Sequence, residues 1–269
     1  MHALPLAAVL SGALLYAAGA ARRGRTVAST GRVTAFALAC GALGVALLSP
    51  LERWADSLFW AHMIQHQLLM VVAAPLLAVS RPVSVSLGVL PSAGRRGMAR
   101  WWRASRLDRL RSLIARPSIA ALAFGIVLWT WHMPALYQAA LDNETVHMIE
   151  HASFFGAGVL FWSTLLRRRA DAGLATVYLF TTAAHAGLLG VLLTLAGRPW
   201  YPSQTGAEAW GLTPLEDQQV AGLVMWVPSG LTFAVAGLVL VACWLREAGR
   251  RVSVSTSESL ARASRRAPR

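Results

Sequence analysis

Seven stretches of this sequence stay apolar for nearly the length that crosses a lipid bilayer, and no other feature restricts the available folds so tightly. They run Ala3 to Ala20, Val33 to Ser49, Leu58 to Val79, Ile119 to Met133 with its flanks, Val146 to Leu166, Leu174 to Leu195, and Val220 to Leu245. A hydrocarbon layer about 30 Å thick takes about 20 residues of helix to cross. With no water there to satisfy a bare backbone, each stretch must close its own hydrogen bonds as a helix. Charged residues are 14% of the chain, against about 25% in an ordinary soluble domain. The expected fold is an all-α integral membrane protein, a seven-transmembrane-helix bundle over residues 1–248. A basic tail over 249–269, rich in Ser, Arg and Ala, is expected to be disordered.

The formal charge of +13 does not indicate nucleic acid, because the 25 arginines follow the spans in alternation. Clusters lie after the first span (Arg22, Arg23, Arg25, Arg32), the third (nine from Arg81 to Arg116), the fifth (Arg167 to Arg169) and the seventh (seven from Arg246 to Arg269). Only Arg53 and Arg198 fall on the opposite side. By the positive-inside rule the amino terminus is outside and the carboxyl terminus cytoplasmic. Ala17 to Ala21 resembles a signal cleavage site, but no basic residue precedes the first apolar run and arginines follow it, so it reads as a retained helix. Trp54, Trp60, Trp129, Trp131, Trp200, Trp210 and Trp226 mark the outer interface, and Trp101, Trp102, Trp162 and Trp244 the inner one. Arg95 to Arg116 alternates arginines with Met98, Trp102, Leu107, Leu110 and Ile114, which suits an amphipathic helix on an anionic leaflet. Ala183, Gly187 and Gly190 permit close helix contact, within the chain or between chains.

Histidines carry the functional signal. Imidazole is costly in hydrocarbon, so membrane histidines point to a site. His62 with His66, and His147 with His151, form two pairs one helical turn apart, which puts each pair on one helix face. On the expected topology both pairs, together with His132, His185, Asp217 and Met225, fall in the outer half of the bundle. These eight are the candidate metal ligands. Imidazole suits copper, zinc, iron and nickel, and thioether favours copper(I). Met63, Met70, Met133 and Met148 lie close to these histidines in sequence and Met225 lies at the outer start of the seventh span, so copper leads, with zinc or haem less favoured. Asp56, Glu150 and Asp217 are placed to ligate or to orient imidazoles.

His147-Met148-Ile149-Glu150-His151 also satisfies the H-x-x-E-H zinc-protease pattern. The pattern is short, no cleft domain accompanies it, and the second histidine pair goes unexplained, so an enzyme is not expected. A haem would need histidines on facing helices, whereas each pair here shares one helix. Cys40 lies within the second span and Cys243 near the inner end of the seventh, so a disulfide between them would be misplaced and they form no redox motif.

Several blocks together resemble the multi-span CtaG-type cytochrome c oxidase assembly factors. They are His62-Met63-Ile64-Gln65-His66-Gln67-Leu68-Leu69-Met70 running on to Ala74-Pro75-Leu76-Leu77; Trp131-His132-Met133-Pro134 with Tyr137; and His147 to His151 followed by Phe154 and Phe161-Trp162. Trp200-Tyr201-Pro202, Leu215-Glu216-Asp217-Gln218-Gln219, Ala221-Gly222 and Met225-Trp226-Val227-Pro228 complete the order, from about Ala46 to Trp244. The resemblance implies a multi-pass protein of the bacterial plasma membrane that matures a haem-copper oxidase, with oxidase subunits and copper chaperones as partners. Copper would bind near the extracytoplasmic face and pass to the oxidase, with Pro75 and Pro228 bending their spans around the site. A copper transporter or tolerance protein, and a scaffold with structural histidines, are the alternative readings.

Overall fold

A computed structural model describes residues 3–105, 112–167, 172–201 and 206–266. Among the described residues every regular element is helical: α1 (Ala3–Val27), α2 (Thr30–Leu48), α3 (Leu51–Ala55), α4 (Phe59–Gln67), a π-helical segment (Leu68–Ala73), α5 (Ala74–Ser80) and α6 (Pro82–Ser86). After a 3-10 turn at Leu87–Val89 come α7 (Ser92–Ala104), α8 (Pro117–Trp131), α9 (Pro134–Asp142), α10 (Glu144–Arg167), α11 (Ala172–Thr194), a second 3-10 turn (Gly206–Trp210) and α12 (Pro214–Arg266). Among the described residues five helices are long and apolar enough to cross a membrane, and six if α8 and α9, which meet at 74°, form one broken span. The remaining expected span coincides with α10, which is 24 residues long but carries His147, Glu150 and His151 in its first half. Leu14, Leu122, Phe180, Leu231 and Leu238 are exposed on the outside of the bundle, an arrangement suited to lipid rather than water.

The third span shows how the sequence shapes the site locally. Pro75 has no N–H to donate, so the α-helical ladder cannot run through it unbroken. The turn before it widens into the π segment, and the Ala74 N–H reaches back to the Leu69 carbonyl. The Met70 carbonyl then takes its hydrogen bond from the indole Nε1 of Trp162 on α10, at 2.9 Å. Trp162 is therefore a buried core residue, not the inner-interface tryptophan that its sequence position suggests. Trp162→Phe would strand that buried carbonyl, which costs about 1–3 kcal/mol. Thermal unfolding in detergent is expected to show a lower midpoint for this variant, and an unchanged midpoint would refute the assigned role.

Close helix approaches depend on glycine. A Cβ on Gly158 would stand 3.0 Å from the Ala74 Cβ and 3.2 Å from the Met70 Cα, so α10 lies directly on the π segment. Gly190 of α11 and Gly222 of α12 meet backbone to backbone, where a Cβ on Gly190 would stand 3.1 Å from the Gly222 carbonyl. Contact at Gly190, which the sequence leaves open between one chain and two, is thus made within the chain. Tyr16 of α1 stacks on Phe36 of α2 with ring centres 3.8 Å apart, and its hydroxyl donates to the Ser80 carbonyl at 3.2 Å. The first helix is accordingly part of the fold.

Two further expectations meet the structure at the arginine-rich end. α7 buries none of its residues and exposes Met98, Trp101 and Trp102, as an interfacial helix would; Leu107 and Leu110 lie outside the described residues. α12 continues as helix to Arg266, through the segment where composition predicts disorder. The segment extends a helix already nucleated by the apolar span.

Candidate metal centre

α4 starts where Asp217 caps it, and its first two turns carry His62 and His66 on the face turned toward α10. α10 begins at Glu144 and presents His147, Glu150 and His151 in return. His62, His66, Glu150 and His151 bring one donor atom each to within 4.8 Å of one another. The Glu150 carboxylate faces both α4 histidines, with Oε2 3.6 Å from His62 Nε2 and Oε1 3.6 Å from His66 Nε2. The His147 ring stacks beside this group, 5.3 Å from the His62 ring and 4.2 Å from the His151 ring. Both pairs predicted from helical spacing therefore converge on one point. Glu150, read from the sequence only as a ligand or orienting partner, stands at the centre.

The other predicted ligands are placed differently. His132 sits in the break between α8 and α9, its ring 5.9 Å from that of His66. His185 lies apart, with its ring against Gly125 of α8. Asp217, expected as a ligand, instead accepts the backbone N–H groups of Phe59 and Trp60, both at 2.9 Å. Leu58 offers α4 no side-chain cap, and a carboxylate from α12 fills that role. Met225 is buried in the central apolar cluster with Phe59, Phe124 and Phe161. Among Met63, Met70, Met133, Met148 and Met225, Met133 and Met148 are exposed, and among the described residues the sulfur of Met63 lies against a histidine nitrogen. The principal cluster thus presents nitrogen and oxygen donors, not sulfur.

Burial makes this arrangement chemically demanding. His62 and Glu150 are fully buried and His66 nearly so. Both ring nitrogens of His62 and of His66, Nε2 of His147 and of His151, and both carboxylate oxygens of Glu150 have no hydrogen-bond partner among the described residues. A buried carboxylate without hydrogen bonds is strongly disfavoured unless a positive charge accompanies it. A cation held by His62, His66, Glu150 and His151 would satisfy one donor atom of each. Phe59, Tyr137 and Tyr201 pack against one another beside His62, and the Tyr201 hydroxyl donates to the His132 carbonyl at 2.6 Å. His147 and His151 border a mostly apolar cleft of about 820 Å³ between α1, α2, α5 and α10, whose wall also includes Glu52 and Glu144.

The family model of the cytochrome c oxidase caa3 assembly factors, Caa3_CtaG, matches residues 14–247. The chain belongs to this family. Helices α1 to α11 and the apolar part of α12 lie within the match, apart from the start of α1, so the histidine–glutamate cluster lies inside the matched region. Among curated proteins, an uncharacterized protein of Mycobacterium bovis and one of Mycobacterium tuberculosis are each 27% identical over 256 residues, covering 90% of this chain and 38% of the relative. The chain thus spans well under half the length of the curated relatives it matches. No solved structure matches the chain.

Proposed function

We propose that this assembly factor binds copper at His62, His66, Glu150 and His151, with His147 alongside, and passes it to cytochrome c oxidase subunits. The observation that carries the reading is the Glu150 carboxylate, fully buried, 3.6 Å from two imidazole nitrogens and without a hydrogen bond. Imidazole and carboxylate donors suit divalent first-row metals, and copper(II) heads their order of affinity. The oxidase that the resemblance implies as client requires copper, which supports copper over zinc. The role is binding and hand-over, not catalysis. We take the protein to cross the bacterial plasma membrane seven times, with α10 as a span, its amino terminus outside and the centre near the extracytoplasmic face. Copper chaperones are its expected donors.

A transporter would need polar groups leading from the centre to the other leaflet. Phe154, Phe161 and Trp162 follow His151 along α10 and belong to the central apolar cluster, which favours delivery from one face. Bound metal, measured by mass spectrometry after copper loading in detergent, is the direct test. Wild type is expected to retain copper and a folded variant with His62, His66, His147 and His151 all changed to Ala to lose it. Equal copper in both, or none in either, would leave the histidines as scaffold. In cells, a deletion strain should lose oxidase copper and recover it with wild type but not with His66→Ala.

A further inference from the structure

The cleft beside the cluster reaches two of its ligands from a side that the packed rings leave open. His147 and His151 stand in its wall, and Nε2 of each has no hydrogen-bond partner among the described residues. Elsewhere the cluster is covered by aromatic side chains. Phe59, Tyr137 and Tyr201, all buried and in mutual ring contact, close over His62, whose ring lies 5.0 Å from that of Tyr137. Phe154 lies against His66 with ring centres 4.2 Å apart. Interiors packed in this way leave few voids as large as a water molecule, so a metal ion does not pass between these rings.

One face of α10 carries donors in line along this cleft. Glu144, His147 and His151 follow at steps of three and four residues, which places them on one side of a helix, about 4.5 and 6 Å apart along its axis. Glu144 is exposed at the start of the helix, His147 is half-buried, and His151 already belongs to the four-donor cluster. The His147 and His151 rings are 4.2 Å apart. Glu52 of α3 lines the same cleft. A cation moving down this row exchanges one oxygen or nitrogen partner for the next, so it is never left bare against the apolar wall, where an unpaired charge is costly.

We propose that the metal enters and leaves the cluster through this cleft, with Glu144 as the group that draws the cation in and His147 as the intermediate ligand between Glu144 and His151. The carboxylates of Glu52 and Glu144 give the cleft negative charge, which raises the local concentration of a cation and its rate of entry. The proposal rests on the metal reading of the cluster and adds the side from which that metal exchanges.

Full-length protein in lipid nanodiscs is loaded with copper(II) in a stopped-flow experiment, and release into an excess of a chromophoric chelator is timed separately. Ala152 of α10 and Leu43 of α2 line the cleft and are not ligands. Ala152→Trp and Leu43→Trp are each expected to slow loading and release alike, by about tenfold, because a filled cleft opens only through local motion, and so to leave the Kd unchanged. Glu144→Gln should slow loading about threefold at low salt, with the difference lost at high salt, and leave release unchanged. Wild-type rates in the tryptophan variants at wild-type affinity, or in Glu144→Gln at low salt, overturn the route. The two tryptophans enter from different helices, so misfolding of one variant leaves the other to decide. Wild type that binds no copper(II) overturns the cluster itself, so the two readings fail separately.

Discussion

Glu150→Gln is expected to reverse the order of stability between the metal-free and copper-loaded proteins. Without metal, wild type holds a fully buried carboxylate that has no hydrogen bond. It bears the cost either as a desolvated charge or as a proton taken up against its preference. The amide of a glutamine is neutral, and after a small shift its N–H group can donate to one of the two facing imidazole nitrogens while its carbonyl oxygen accepts from the other. The metal-free variant should therefore unfold at a higher temperature than metal-free wild type, with a gain on the order of 1–3 kcal/mol. Copper acts in the opposite direction. At free copper about 100 times its Kd, a specific site stabilises the folded protein by about 2.7 kcal/mol, and the variant, lacking the anionic ligand, should show little of that shift. Thermal unfolding with and without copper provides all four values. A variant less stable than wild type in the absence of metal, or one with the full copper shift, would mean that Glu150 is satisfied in some other way and is not a ligand.

Asp217→Ala should weaken both the fold and the metal site while leaving the ligands in place. The carboxylate joins α12 to the start of α4 by two hydrogen bonds of 2.9 Å, and it is fully buried. The first N–H groups of a helix have no partner within it, and loss of this anion leaves two of them bare in the core. The expected cost is about 2–4 kcal/mol, between the worth of a cap and that of hydrogen bonds to a charged group. His62 lies one turn beyond these amides, so its ring loses its fixed position and copper affinity should fall about tenfold, as when an orienting partner of a ligand is removed. The copper spectrum should nevertheless match wild type. Asp217→Asn keeps one acceptor oxygen and should give a smaller effect of the same kind. A changed copper spectrum in Asp217→Ala, with full stability, would return Asp217 to the ligands.

Much of this molecule was legible in the residues taken in order. Long apolar runs determined helices in a membrane, because hydrocarbon leaves the backbone no other partner. Spacing of four placed each histidine pair on one face, because an α-helix repeats every 3.6 residues. The order of short blocks identified the family. Pro75 announced an irregularity in the third span, and the π segment is there.

What tertiary structure alone decided concerns residues far apart in the chain. Convergence of α4 with α10, the central place of Glu150, the capping role of Asp217, the burial of Trp162 and the isolation of His185 all depend on which helix faces which. Inside a bilayer the hydrophobic effect does not choose between apolar neighbours, since lipid and leucine offer nearly the same contact. Helix pairing is set instead by close approach at small residues such as Gly158 and Gly222 and by a few buried polar links, those of Trp162 and Asp217 among them. Those choices are made by shape and directed hydrogen bonds between distant segments, so hydropathy and local spacing do not encode them.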